Sequence, residues 1–255
     1  MRLTMLGVGS SAGTPMIGCE CDTCKSPDKR NHRTRCSSVI ELDNGKIILI
    51  DTGPDLRQQA LREGLSQVDA VLYTHTHADH LHGIDDLRAF CQIQRSQIPL
   101  YGSPEAMAHI ADKFGYTLRE VGNFWDLPIL KANPVKAPFY LFDQLVIPIP
   151  VKHGNSDIFG YRIGNIAYIT DVSIIPESSF ELLKDLDILL LDCLRYTPHY
   201  SHVNLEQSLV YAGQIGAKIT YLIHMTHELE YNALSSHLPN NVLVGYDGLR
   251  LKLPM

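Results

Sequence analysis

Short apolar runs bounded by turn residues recur along the chain, interleaved with stretches of helical period. Leu3 to Val8 reads as a first strand, and a long loop rich in Gly, Ser, Pro and charge follows from Gly9 to Arg35. Ser37 to Leu42 and Lys46 to Ile50 flank Asp43-Asn44-Gly45, and Asn-Gly between two such runs signals a hairpin. Pro54 opens a helix with Leu56, Ala60 and Leu61 on one side, stopped at Gly64. Val68 to Tyr73 reads as a buried strand, Ile84 to Gln94 has helical period, Pro99 to Gly102 is short and extended, and Pro104 to Phe114 is helical. Gly115 to Asp143 is the least regular part, read as an insertion or cover over residues 115–143. Leu145 to Val151, Gly160 to Ile163 and Ile166 to Thr170 read as strands, the last two turned at Gly164-Asn165. Pro148 and Pro150 mark the first of these as an edge or irregular strand, because proline brings no N–H to a ladder. Ser178 to Lys184 is helical, Leu186 to Leu191 and Ile219 to Ile223 are strands, and Asn204 to Gly216 is a helix with Asn204 as N-cap and Gln207 three residues on. Strands alternating with helices predict an α/β protein.

The ends of the strands carry the chemistry. Asp51 follows Lys46–Ile50, His75 follows Val68–Tyr73, and His153 closely follows Leu145–Val151. Asp171, Asp192 and His224 follow the runs ending at Thr170, Leu191 and Ile223. In α/β proteins, sites collect outside the carboxyl ends of strands. A strand must end in something polar, which accounts for one or two of these residues, Asp192 among them, but not for three histidines. After Tyr73 the chain reads Thr74-His75-Thr76-His77-Ala78-Asp79-His80. Imidazole and carboxylate ligate zinc, manganese and iron. His75 and His77 share one face of extended chain while Asp79 and His80 point elsewhere, so one loop can serve two neighbouring ions.

Six cysteines divide into a cluster and three singles. Cys19, Cys21 and Cys24 lie in the loop of residues 9–36, where such spacing favours a metal over disulfides. Cys36, Cys91 and Cys193 stand alone and read as small buried apolar residues. With 28 acidic against 22 basic residues the formal charge is −6, although Lys29, Arg30, Arg33 and Arg35 are locally dense. That balance makes nucleic acid a poor partner and favours a small substrate whose anionic charge is met by metal. No apolar run approaches the ~20 residues that span a bilayer, and a strand pattern begins directly after Arg2, so neither membrane nor secretory segment is expected and the expected location is cytoplasmic. No G-x-S-x-G motif offers a protein nucleophile.

Taken in order, Asp51, His75-x-His77-x-Asp79-His80, His153, Asp171 and His224 resemble the five motifs of the metallo-β-lactamase-fold hydrolases, over nearly the whole chain. The resemblance implies one domain, residues 1–255, folded as a four-layer αβ/βα sandwich with a site at one edge. It implies one divalent ion on His75, His77, His153 and Asp171 and a second on Asp79, His80, Asp171 and His224, with Asp51 supporting the site through hydrogen bonds. Manganese, zinc and iron all suit such ligands, and two ions about 3.5–4 Å apart activate a water for attack. Cys19-x-Cys21-x-x-Cys24, with His227 three residues after His224, resembles the structural zinc site of the phosphoribosyl cyclic phosphate phosphodiesterases of the carbon–phosphorus lyase pathway. The same resemblance implies that His202, in Ser201-His202-Val203-Asn204, acts near the scissile phosphate as general acid, with Asp79 and Asp51 completing the catalytic set. His199 competes for that role, and the helix start at Asn204 is expected to favour an anion. His32, His82, His109 and His237 match no motif.

The expectation is therefore a metal-dependent phosphodiesterase acting on a small cyclic phosphate or related diester, with a homodimer as the expected assembly. Transfer-RNA 3′ processing, lactone or thioester hydrolysis, and a non-hydrolytic role in cofactor biosynthesis stay open as alternatives.

Overall fold

The computed structural model describes residues 1–118 and 129–252. Its strands are β1 (Arg2–Gly7), β2 (Ser37–Glu41), β3 (Ile47–Ile50), β4 (Ala70–Leu72), β5 (Ile98–Gly102), β6 (Leu130–Pro134), β7 (Phe139–Leu141), β8 (Gln144–His153), β9 (Ser156–Ile163), β10 (Ile166–Ile169), β11 (Ile188–Asp192), β12 (Ile219–Ile223), β13 (Val242–Val244) and β14 (Arg250–Lys252). One sheet has the order β14-β1-β2-β3-β4-β5-β6, the other β13-β12-β11-β10-β9-β8-β7. The helices are α1 (Asp22–Lys25), α2 (Leu56–Glu63), α3 (Ala78–Leu81), α4 (Leu87–Gln94), α5 (Pro104–Phe114), α6 (Glu177–Phe180), α7 (Leu205–Ile215) and α8 (Tyr231–Ser235). No described helix is long and apolar enough to cross a membrane.

Alternation along the strands sorts the first sheet into two faces. Ile48 and Ile50 of β3 and Ala70 and Leu72 of β4 share a core with Ile149, Tyr161 and Ile169 of the second sheet. Leu49, Val71 and Leu100 face the other way and share a core with Leu56, Leu87, Phe90 and Ile110 of α2, α4 and α5. Each such fully buried side chain contributes about 1.5–3 kcal/mol relative to exposure. On the second sheet Ala212 of α7 joins the inter-sheet cluster. The result is the four-layer αβ/βα sandwich that the motif order implies.

Several local expectations change. Leu61 is 68% exposed, and Gln59 is buried instead, because its amide donates to Thr34 Oγ1 and the Arg35 carbonyl, each at 2.9 Å. β8 is flanked on both sides, but β7 pairs only with Gln144 to Val146, so Pro148 and Pro150 do lie where one side of β8 is free of strand pairing. Of the segment 115–143, residues 119–128 lie outside the described residues. The described part is not a loose cover: β6 and β7 form the outermost strand of each sheet, with Ile129 and Leu130 buried. Proline interruptions hide the strand pattern there, and outer strands tolerate them. β13, β14 and α8 carried no sequence signal, being three to five residues long; β14 exists because it adds antiparallel to β1, with Arg2 opposite Lys252 and Thr4 opposite Arg250.

Much of the dense basic stretch is tied into the fold. Arg33 is 1% exposed and donates to the carbonyls of Thr226 and Leu229; burial pushes its pKa down to about 10. Arg30 pairs with Asp28 at 2.6 Å and lies over the Tyr231 ring, and Arg35 pairs with Asp55 at 3.1 Å. The loop of residues 9–36 is thereby tied to the segment after β12, helped by backbone bridges from Gly9 to Arg35 and to Met225.

Candidate metal centre

The strands that carry the candidate ligands end at one edge. β3 and β4 are parallel neighbours, as are β10, β11 and β12. β8 shares their direction because it and β10 are both antiparallel to β9. Just past three of these strands the backbone turns through the left-handed region, at Asp51 (φ 59°), Asp171 (φ 54°) and His224 (φ 58°). Aspartate and histidine tolerate that conformation better than most residues, but it still costs on the order of 1 kcal/mol each.

Two groups of four residues converge there: His75, His77, His153 and Asp171, and Asp79, His80, Asp171 and His224. Within each group the ligand atoms lie within 4.8 Å of one another. Asp171 belongs to both. Its Oδ1 is 3.8 Å from His75 Nε2 and 3.9 Å from His153 Nε2. Its Oδ2 is 3.0 Å from His80 Nε2 and 3.4 Å from His224 Nε2. Asp79 Oδ2 approaches His80 and His224 at 3.3 and 3.5 Å. His77 is exposed and marks the opening to solvent, while His75, His80, His153, Asp171 and His224 are buried.

The far side of three of the rings is already held. His80 Nδ1 donates to Asp51 Oδ2 at 2.8 Å, and His153 Nδ1 donates to the Ser201 carbonyl at 2.8 Å. His75 Nδ1 meets Thr74 Oγ1 at 3.0 Å, whose hydroxyl donates onward to Asp51. Asp51 is 0% exposed and also accepts the Thr74 backbone N–H at 2.8 Å. These bonds fix the tautomers and turn each Nε2 inward, the arrangement that metal-ligating histidines need.

The residues fit a cation. His75 Nε2, His80 Nε2 and both ring nitrogens of His224 are buried without a hydrogen-bond partner, a state that costs about 1–3 kcal/mol per group. Burial pushes His75 and His153 below the usual imidazole range. Burial also opposes charge on His80, yet Asp171 and Asp51 outweigh it and raise that ring well above its usual range. Asp171 and Asp79 likewise lift His224 to about 9 against its burial. Burial works against the Asp171 carboxylate, but His224, His80 and His75 hold it well below its usual range. A cluster that draws protons onto two buried imidazoles is one that a divalent ion can occupy by displacing them.

Sequence reasoning missed Asp192. Far from merely ending β11, it is 0% exposed, accepts the Val172 N–H at 2.9 Å and lies 3.0 Å from His202 Nδ1. Its other oxygen is 3.6 Å from His224 Nδ1. The available signal was an ionisable residue closing a wholly apolar strand, where burial demands a partner. His202 Nε2 reaches within 3.8 Å of Asp171 Oδ1, whereas the His199 ring stands 5.3 Å from that of His202 and its Nδ1 accepts from Ser201. The start of α7 is not an open anion seat. The Asn204 and Gln207 N–H groups are taken by a reciprocal capping box, and Leu205 N–H donates to the Arg195 carbonyl at 2.9 Å.

Cys19, Cys21, Cys24 and His227 come together as a third group. His227 Nδ1 lies 3.4 Å from Cys19 Sγ and 3.2 Å from Cys21 Sγ. A tetrahedral zinc with bonds of about 2.0–2.3 Å sets its ligand atoms roughly 3.3–3.8 Å apart, so the donor set and spacing fit. His227 holds the Cys21 thiol down to about 6, and burial pushes Cys24 up to about 11. The single cysteines Cys36, Cys91 and Cys193 are buried, and burial raises all three thiols.

Comparisons with known proteins agree with this architecture. Residues 46–225 match the family described as the beta-lactamase superfamily domain. Among solved structures, a diphosphatase of the PhnP family is 40% identical with a TM-score of 0.92, over 100% of this chain and 98% of that one. Zinc-bound PqqB from Methylobacterium extorquens (19% identity, TM-score 0.82, 99% and 100% of the two chains) shares the fold. So does human tRNase Z, short form (16%, 0.73, 100% and 100%). An octanoyltransferase of Porphyromonas gingivalis is 40% identical over 98% of this chain but only 51% of its own length. Coenzyme PQQ synthesis protein B of Methylobacterium radiotolerans is 36% identical over 34% of each chain. The chain thus spans about half, or less, of the length of these curated relatives. Together with the strand-end histidines and the shared aspartate, these likenesses mean that the chain belongs to the metallo-β-lactamase superfamily and, within it, to the PhnP family.

Proposed function

We propose that this chain is a metal-dependent phosphodiesterase that hydrolyses a small cyclic phosphate or related diester. Two divalent ions would be held by His75, His77, His153 and Asp171 and by Asp79, His80, Asp171 and His224. The observation that carries this reading is Asp171, whose two oxygens face separate histidine pairs. Manganese, zinc and iron all suit the donor set. Bound there, such ions supply an acidified water and a positive seat for phosphoryl oxygens.

The chain's own residues do the rest. Asp171 keeps the two seats at one separation. Asp51, by accepting from His80 and Thr74, aims His80 Nε2 and polarises the His75 ring through the Thr74 hydroxyl. Asp192 accepts from His202 Nδ1, so Nε2 is the atom that faces the cluster and delivers a proton to the leaving oxygen. Asp192 thereby plays the orienting part that a carboxylate behind a catalytic histidine plays elsewhere. Cys19, Cys21, Cys24 and His227 would hold a structural zinc that ties the loop of residues 9–36 to the segment carrying His224.

The test is turnover by the metal-loaded full chain. Bis(p-nitrophenyl) phosphate is expected to be cleaved, with little activity on p-nitrophenyl phosphate or on lactones. Efficient monoester turnover without diester cleavage would remove the reading. A second reading, hydrolysis of an acyl ester, draws on the relative named octanoyltransferase; cleavage of an octanoyl thioester with no diester cleavage would put it first.

A further inference from the structure

A cavity of about 420 Å³ lies between α8, β12 and β13, and none of the metal-centre residues lines it. Small-molecule sites fall in the range of roughly 300–1,000 Å³. Val242, Val244 and Leu249 give the cavity an apolar wall, and Tyr221, Tyr231 and Tyr246 line it with rings. The Tyr231 and Tyr246 rings stand 6.0 Å apart with planes at 75°. Tyr221 is 7% exposed, yet its hydroxyl has no hydrogen-bond partner among the described residues. Burial, then Tyr246 and Tyr231, push that hydroxyl above its ordinary range, as follows where phenols converge. Among the described residues Arg30 is the one cation on the cavity wall, and no carboxylate lines it.

Arg30 is only partly satisfied. Asp28 accepts from its Nε at 3.0 and 3.1 Å and from its Nη2 at 2.6 Å, and Asn232 Oδ1 accepts from Nη2 at 3.1 Å. Nη1 meets no carboxylate or backbone carbonyl among the described residues. A second cavity, lined by Arg2, Glu41, Glu63 and Arg250, differs: there each arginine pairs with one of the cavity's own glutamates and keeps no charge for a ligand. The place matters as well. Asn31, next to Arg30, accepts the Tyr231 N–H at 2.8 Å and donates to Glu230 at 2.7 Å, and Tyr221 precedes His224 by three residues. The cavity therefore spans the contact between the loop of residues 9–36 and the segment after β12.

We propose that this cavity binds a small aromatic monocarboxylate, its ring among Tyr221, Tyr231 and Tyr246 and its carboxylate on Arg30 and the Tyr221 hydroxyl. The donors select the acid group, because a guanidinium and a phenol both offer protons and a carboxylate accepts them. With Asp28 already on Arg30, a doubly charged anion such as a phosphate monoester meets repulsion there. The rings select the aromatic body, because aromatic pairs favour the edge-to-face and offset arrangements that Tyr231 and Tyr246 extend to a third ring. The site is separate from the metal centre and does not depend on the hydrolytic reading.

The test titrates the metal-loaded full chain by calorimetry with 2-naphthoate and with 2-naphthalenemethanol, which share the ring system and differ in the acid group. The acid should bind about tenfold more tightly, the worth of a hydrogen bond to a charged group. A carboxylate can also ligate ions at the strand ends, so the titration is repeated after a mild chelator has removed them, and the affinity should be the same. Arg30→Gln should bring 2-naphthoate to the level of the alcohol. Ser235→Trp, on the cavity wall and exposed, should abolish binding of both. Thermal melts that match the unaltered chain show that lost binding is not lost fold. Should either variant melt early, Leu243→Arg takes its place, on a wall residue that is 40% exposed. Binding of neither ligand, equal affinity for both in the unaltered chain, loss of 2-naphthoate binding along with the strand-end metals, or unchanged 2-naphthoate binding in a folded wall variant overturns the site.

Discussion

The two kinds of ligand cluster in this chain share a rim and are built in opposite ways. His75, His80, His153, Asp171 and His224 stand at or near strand ends, fully or almost fully buried, with partners behind His75, His80 and His153 that fix each ring before any ion arrives. Cys19, Cys21 and His227 sit on loops and Cys24 in the one-turn α1, three of the four being partly exposed, and the polar contacts of Cys19, Cys21 and His227 are chiefly with one another. The strain differs too. At the strand ends aspartate and histidine hold the left-handed conformation, whereas in the cysteine loop Gly13 and Gly18 take it, where it costs nothing steric. A sandwich edge can therefore pre-form a metal site, while a loop site would be closed by the metal proposed for it. The two are neighbours along the chain, His227 lying three residues beyond His224.

The hardest blow to this contrast is Asp171→Ala, which removes the carboxylate common to both strand-end groups. Diester turnover should fall on the order of 10³-fold or more, with the cysteine-bound metal retained in elemental analysis; a variant that keeps its full metal complement and turnover would refute the shared role. His202→Ala should lower kcat by about 10²–10⁴-fold at unchanged metal content, and loss of metal would instead make His202 a ligand. Asp51→Asn leaves the strand-end ligands in place but unsupported. Its metal affinity should drop about 10–100-fold in a competition titration, and an unaltered affinity would show that pre-forming the rings does not matter.

Charge provides a subtler probe. In the metal-free chain His224 titrates at about 9 rather than 6.5, so the folded state holds its proton more tightly than the unfolded one. That stabilisation is complete below about pH 6.5 and is lost as pH rises through 9, a change on the order of 3 kcal/mol. Denaturant melts of the metal-free chain from pH 6.5 to 9.5 should show the decline and those of the loaded chain should not; identical profiles would dispose of the idea that the ion replaces that proton. The smallest effect belongs to the loop. About three metal equivalents are expected per chain, two removed by a mild chelator and one retained. Cys19→Ser should lose the third and lower Tm by a few degrees, each kcal/mol being worth about 2–4 °C at this size. Finding two equivalents in the unaltered chain and no change in Tm would eliminate the structural zinc.

How much could be read in advance divides along physical lines. Strands such as Ile47–Ile50, Ile188–Asp192 and Ile219–Ile223 announce themselves because burial on both faces demands continuous apolar runs. The helix beginning after Asn204 carried its capping box in local sequence. β6, β7, β13 and β14 did not announce themselves, since three- to five-residue outer strands are held by their neighbours' ladders more than by their own composition. Arg33 illustrates the same gap: a basic residue in a basic stretch reads as surface charge, yet it is 1% exposed because two carbonyls from residues 226 and 229 reach it.

The sequence by itself determined the ligand types and their order along the chain, because imidazole, carboxylate and thiolate chemistry belongs to single residues and strand-ending positions follow from apolar runs. Only the tertiary structure decided that Asp171 faces two histidine pairs and that Asp192 stands behind His202. Those are distances and hydrogen bonds between side chains ten to nearly a hundred positions apart, and they come into being only when two sheets pack and their strand ends meet at one edge.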